Sequence, residues 1–203
     1  TNAIDCIHTT AASHGRVFIV EIMGHKVGWL TLHAGLAGGA DIILLPEIPY
    51  DINVVADAIK KRAKAGKRFS ILAVAEGAIS KENAALSKKE QKKLQQNNPY
   101  PSIAYEVGAR INELTGQEVR VTVPGHMQRG GAPCPYDRVL STRLGAAAGK
   151  MIMDGKYGYL VGIRNNEIVN VPLADVAGKL KMVSPDCDMI KEAKLVGISF
   201  GDE

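Results

Sequence analysis

Apolar residues fall into two alternating patterns along the chain. Residues 16–21, 42–47 and 69–75 are short, nearly continuous apolar runs. Runs of that kind read as central parallel strands covered on both faces. Between them lie helical periods. Residues 54–64 place Ile59 inward and Lys60, Lys61 and Arg62 outward, with Asp51 as the N-cap and Gly66 as the stop. Residues 105–114 turn Val107, Ile111 and Leu114 inward and end at Gly116. A further helix opens through residues 30–34 and ends at residues 35–41. Ile4 and Ile7 mark residues 1–13 as the end of a helix that begins before Thr1, with Ser13-His14-Gly15 turning into the first strand. Strand alternating with helix predicts an α/β architecture: a three-layer, Rossmann-like parallel sheet flanked by helices.

The second half changes character. Residues 119–123 alternate, with Arg120 and Thr122 on one face. Pro133 and Pro135 mark residues 132–136 as a linker, after which Asp137 caps a helix to Met153. That helix carries Val139, Leu140, Leu144 and Ala147 inward and Arg138 and Arg143 outward. Residues 160–163 and 167–171 form a hairpin around Asn165-Asn166, the composition of a two-residue primed turn. Residues 80–101, rich in lysine and glutamine, read as a solvated insertion with one short helix and a proline-bounded loop. Residues 186–203 carry no functional signal.

Candidate chemistry gathers where strands run out into glycine. Residues 125–131 (GHMQRGG) follow the 119–123 strand, residues 22–28 (IMGHKVG) follow the first, and Glu76-Gly77 follows the third. Glycines let a ligand approach the backbone, and in open parallel sheets ligands bind beyond the carboxyl ends of the strands. An arginine fork suits phosphate, histidine can donate to a hydroxyl or phosphate, and a carboxylate among cations suits sugar hydroxyls. An ordinary turn with a surface arginine and a capping histidine fits the residues as well.

Taken together, the 20–28 segment (VEIMGHKVG), the 125–131 segment and Asp137-Arg138-Val139-Leu140 resemble the 6-phosphofructokinase family, ATP- or pyrophosphate-dependent. The likeness runs from Ser13-His14-Gly15-Arg16 to the strand at 159–163 and corresponds to the family's C-terminal, sugar-phosphate-binding portion. It implies a fructose 6-phosphate-binding domain over residues 1–131. Residues 132–203 would be a linker, long helix and hairpin that pack on a nucleotide-side domain whose N-terminal half is absent, leaving apolar surface on 137–185 uncovered. The implied substrate contacts are Arg16, Met23, Gly24, His25, Glu76, Arg120, His126, Met127, Gln128 and Arg129. In that pattern Arg16 and Arg120 reach the sugar phosphate across a subunit interface, which implies a homo-oligomer. Glu76 accepts from a sugar hydroxyl, and His126 and Arg129 contact the phosphate. His25 stands where the family has an arginine touching the transferred phosphoryl group, with Lys26 beside it. The family's glycine-rich phosphate loop and acidic segment with its catalytic base do not occur, so no catalytic base or metal ligand is assigned. Mg2+ with ATP or pyrophosphate would be bound mainly by the other half. The chain alone is expected to be truncated and to turn over little or no substrate.

Composition agrees with a globular piece of such an enzyme. The 203 residues are 46% hydrophobic and carry a net charge of +4, mild enough to suit a phosphorylated substrate and far from a nucleic-acid binder's basic stripe. Cys6, Cys134 and Cys187 lack metal-ligand spacing and read as reduced thiols of a cytoplasmic protein. No membrane span or secretion signal is seen. Two rival readings are a non-catalytic sugar-phosphate-binding or regulatory subunit and a dinucleotide-binding domain. The second lacks a Gly-x-Gly-x-x-Gly after any strand.

Overall fold

A computed structural model describes residues 1–203, the side chain of His14 excepted. The chain divides into two compact units, Thr1–Gln128 with Met182–Glu203, and Arg129–Lys181. The last twenty-two residues thus return to the first unit, whereas the sequence reading grouped all of 132–203 together.

The first unit is built from α1 (Asn2–His14), β1 (Val17–Ile22), α2 (Trp29–Ala37), β2 (Ile42–Leu44), α3 (Ile52–Lys64), β3 (Ser70–Ala75), α4 (Lys81–Ala84), α5 (Lys88–Gln96), α6 (Ile103–Thr115) and β4 (Val119–Thr122). The strands form a parallel sheet in the order β2-β3-β1-β4. One apolar layer joins Phe18, Val20, Ile22, Ile43, Ile71 and Ala73 to α1, α2 and the C-terminal residues Val183, Ile190 and Phe200. The opposite layer joins Val17, Ile19, Leu44, Leu72 and Val74 to α3 and α6 through Val55, Ile59, Val107 and Ile111. The three layers follow from the unbroken apolar runs, since β1 and β3 bury all six residues each.

Several local expectations hold at the level of atoms. Asp51 caps α3 by accepting from the Asn53 N–H at 2.8 Å. Gly116 ends α6 in the left-handed region. Others are corrected. Residues 13–14 belong to α1 rather than to a turn, whereas α2 ends at Ala37, within the 35–41 span that the sequence marks as its end. The 80–101 segment holds two helices, the second opened by a reciprocal Ser87–Glu90 capping box. β2 is not central. It ends the sheet, and what covers its outer side is the C-terminal tail, where the Ile43 N–H donates to Ser199 O (2.9 Å) and the Ser199 N–H to Asp41 O (3.1 Å). The short α9 (Asp188–Leu195) leads into that tail and buries Ile190 and Ala193.

Glu47 ties the same tail to α2. Its carboxylate accepts from the Gly28 N–H at 3.0 Å and from the Val183 N–H at 3.0 Å. A negative group at a helix N-terminus is favoured by the helix dipole as well. Glu47→Ala strands two amides and is expected to lower stability by about 1–2 kcal/mol, read from a urea midpoint.

The second unit contains α7 (Pro135–Met153), the antiparallel pair β5 (Tyr159–Arg164) and β6 (Glu167–Pro172), and α8 (Leu173–Val176). Pro135 is not a breaker here but the first residue of α7, where its missing N–H costs nothing. Asp137 therefore sits inside the first turn and accepts from the Cys134 N–H at 3.2 Å instead of acting as the N-cap. Asn165 and Asn166 both take positive φ, 50° and 66°, as the primed turn requires. Arg143 is not idle on the outside, because its Nη1 donates to Asn166 Oδ1 at 2.8 Å and fastens that turn. Val139 is 60% exposed rather than inward, and Ile152, Met153 and Tyr157 are also open to solvent. Among the described residues no helix is long and apolar enough to cross a membrane.

Candidate functional site

Two neighbouring strands, β1 and β3, deliver the site. Their ladder continues past the last strand residue, with the Glu76 N–H donating to Ile22 O at 2.9 Å. Beyond Ile22 the backbone of β1 turns sharply, with Gly24 at φ 151° and His25 at φ 55°. A side chain on Gly24 would approach the Val27 carbonyl oxygen to 2.6 Å, so that position admits only glycine. His25 is a non-glycine residue held in the left-handed region, an uncommon conformation that its surroundings must fix.

Two side chains supply that fixing. Glu76 Oε1 accepts from the Gly24 N–H at 3.1 Å and from the His25 N–H at 2.6 Å. Gln128 Oε1 accepts from the Met23 N–H at 3.0 Å. Three successive amides thus end on side chains from two other segments. Gly77 lies directly under this turn, where a Cβ would come within 2.0 Å of the His25 carbonyl oxygen. A carboxylate offers several lone pairs, so Glu76 keeps acceptor capacity for a hydroxyl while holding both amides.

The structure therefore brings together Met23, Gly24, His25, Glu76 and Gln128. His126 and Met127 stand on the 3-10 turn Gly125–Arg129 that follows β4, both exposed, Met127 at 84%. Arg129 closes that turn and is the first residue of the second unit.

Arg16 and Arg120 are not brought to the cluster. Arg16 immediately precedes β1, at its amino end, while Gly24 and His25 follow its carboxyl end. A six-residue strand separates them by about 20 Å. Arg120 pairs with Phe18 in the register of β1 and β4, on the same distant side. Both guanidiniums are engaged there by Glu118.

Sequence reasoning missed Gly77 and Glu118. Gly77 was visible only as the partner of Glu76. Glu118 reads as a surface acid until the β1–β4 register sets it beside two arginines. Among the described residues no three of His, Cys, Asp and Glu converge as metal ligands.

A parallel sheet whose strands run out into glycine turns and a carboxylate is an open α/β architecture, of the kind that binds ligands beyond the carboxyl ends of its strands. The comparisons with known proteins name the family. The phosphofructokinase profile matches residues 1–152. The whole chain is 52% identical over 202 residues to the ATP-dependent 6-phosphofructokinase of Spirochaeta thermophila and 49% identical over 203 residues to that of Chloroflexus aurantiacus, covering 55% of each. Among solved structures, the phosphofructokinase of Saccharomyces cerevisiae superposes with a TM-score of 0.70 at 35% identity, over 86% of this chain and 22% of that one. The pyrophosphate-dependent enzyme of Nitrosospira multiformis shares the fold over 100% of this chain and 53% of its own, with a TM-score of 0.75 at 19% identity. This chain belongs to the phosphofructokinase family. It spans about half the length of the curated relatives it matches.

Proposed function

We propose that this chain forms the sugar-phosphate side of a 6-phosphofructokinase, binding fructose 6-phosphate so that its 1-hydroxyl receives a phosphoryl group. The observation that carries this reading is the junction of Met23, Gly24 and His25 with Glu76 and Gln128 at the carboxyl edge of the sheet. Segments distant in sequence meet there, beyond the carboxyl ends of the strands where open parallel sheets take their ligands. Glu76 reads sugar hydroxyls, because a carboxylate would repel phosphate. His126 and Arg129 supply donors to the phosphate, with Met127 and Gln128 on the same turn. His25 and Lys26 stand nearest the moving phosphoryl group.

ATP with Mg2+ is the donor in this reading, supported by the names of relatives about half identical to the chain. Mg2+ screens charge on the transferring phosphoryl group. Among the described residues no ligand set for it gathers, and in this reading it arrives with the donor, on sequence the relatives carry outside the matched span. Residues 132–181 pack on that nucleotide side, covering their apolar surface. The site also calls for a second copy of the chain. Arg16 and Arg120 lie too far from His25 to join its ligand within one chain, so they serve the 6-phosphate across an interface, in a cytoplasmic homo-oligomer. A non-catalytic sugar-phosphate-binding subunit would use the same contacts and differ only in lacking turnover.

The test is fructose 6-phosphate binding followed by the 31P shift of the sugar phosphate. Arg129→Ala is expected to weaken it by a factor of about thirty, near 2 kcal/mol, the size of one charge-assisted contact. Unchanged binding in that variant would overturn the assignment.

A further inference from the structure

At the amino end of the sheet an ionic group stands apart from the Glu76 cluster. Glu118 precedes β4, and its carbonyl accepts from the Val17 N–H at 3.0 Å, which anchors it opposite Arg16 on the adjoining strand. Arg120 follows two residues later and so projects to the same side of β4. Glu118 uses both carboxylate oxygens, Oε2 accepting from Arg16 Nε and Oε1 from Arg120 Nη2. The three side chains remain accessible, at 31%, 46% and 57% exposure for Arg16, Glu118 and Arg120. On this side β1 presents Phe18, packed into the core, whereas β4 presents the charged Arg120.

We propose that Glu118 is a positioning residue for a phosphate clamp, a peg that holds Arg16 and Arg120 side by side for the 6-phosphate of the sugar. The inference rests on the reading that those two arginines bind that phosphate. Two guanidiniums repel each other and occupy many rotamers. A ligand that must gather them meets the cost of ordering both. With Glu118 between them the ordering is done before the ligand arrives, and each planar fork keeps most of its donors. Glu118 also repels an incoming phosphate, but its single negative charge is shared between two guanidiniums, so the group keeps a net positive charge toward the ligand, unlike Glu76, which holds only backbone amides. The anchored backbone matters as well, since a carboxylate on a mobile loop would follow the arginines instead of fixing them.

Three variants, Arg120→Ala, Glu118→Ala and Glu118→Gln, test this in the same 31P titration of the protein with fructose 6-phosphate. Arg120→Ala is expected to weaken binding and thereby establish the clamp. Glu118→Ala should raise the dissociation constant about tenfold, the effect of leaving two rotamer-rich side chains to be ordered by the ligand. Glu118→Gln, which keeps the length and one acceptor oxygen, should recover part of that loss. Thermal midpoints should stay together, because exposed ion pairs contribute little to folding. Weaker binding in Arg120→Ala with equal or tighter binding in Glu118→Ala would overturn the role of Glu118 alone. Unchanged binding in Arg120→Ala would remove the clamp itself. A fall in the thermal midpoint of Glu118→Ala that matched its loss of affinity would replace positioning by a structural role, and so overturn the inference.

Discussion

Phe200→Ala is expected to destabilise the first unit by about 3–5 kcal/mol, the cost of emptying a fully buried aromatic site. Phe200 has no exposed surface and packs into the layer formed by α1, α2 and one face of the sheet. It sits next to Ser199, whose backbone covers the outer side of β2. The cavity and the loosened bridge therefore act on the same strand. A urea titration followed by far-ultraviolet circular dichroism measures the shift. Leu195→Ala, at a position 86% exposed, is the matched control and should leave the midpoint in place. A Phe200→Ala midpoint as high as the control's would mean that the tail rides on the unit without supporting it.

Gly77→Ala is expected to produce the second large effect, this time in both stability and ligand affinity. The added methyl would lie 2.0 Å from the His25 carbonyl oxygen. A backbone oxygen cannot swing aside as a flexible side chain can, so the 23–25 turn has to move. Overpacking of this kind costs up to about 3 kcal/mol. The shift would also pull the Gly24 and His25 amides off Glu76. Fructose 6-phosphate binding should fall below detection in the 31P titration, while Gly145→Ala, on the helix α7 where a Cβ meets nothing, should bind as the parent does. Retention of full affinity by Gly77→Ala would show that the turn geometry is unimportant to the ligand.

The layers of the fold were legible because burial on both faces leaves a plain mark. The runs containing β1 and β3 have no polar interruption except Glu21 and Ser70, and both of those are buried. Glu21 is explained by a helix end: its Oε2 accepts from the Ala104 N–H at 3.1 Å. The place of β2 was not legible. A strand covered by a returning tail has the same apolar composition as a strand covered by neighbours, and nothing in residues 42–47 distinguishes the two. The tail itself gave few signals because its contribution is one bridge and a few buried side chains, not a periodic pattern.

At the candidate site, residue types were readable and their partners were not. Glycine and glutamate at strand ends announced a crevice. That Glu76 and Gln128 fasten the backbone of residues 23–25 depends on a turn whose φ values no local pattern reveals. The family resemblance sets Arg16 and Arg120 across a subunit interface, apart from the His25 of their own chain. Strand polarity places them at opposite ends of the same strands, a consequence of β1 pairing parallel to β4 that composition could not show. The uncovered apolar side chains of the second unit were expected, yet Val139 was assigned inward because helical periodicity shows that a face is apolar, not what covers it.

The two margins of the parallel sheet are unequal. Ser199 blunts the β2 margin with a single bridge, which offers no row of unpaired amides to a newcomer, while β4 ends the other margin. At this four-stranded sheet, association by strand addition therefore has one route, and a route used once by each of two molecules closes on itself. Strand addition at this sheet would couple copies in pairs and would not run on into a filament while the Ser199 segment holds the β2 margin.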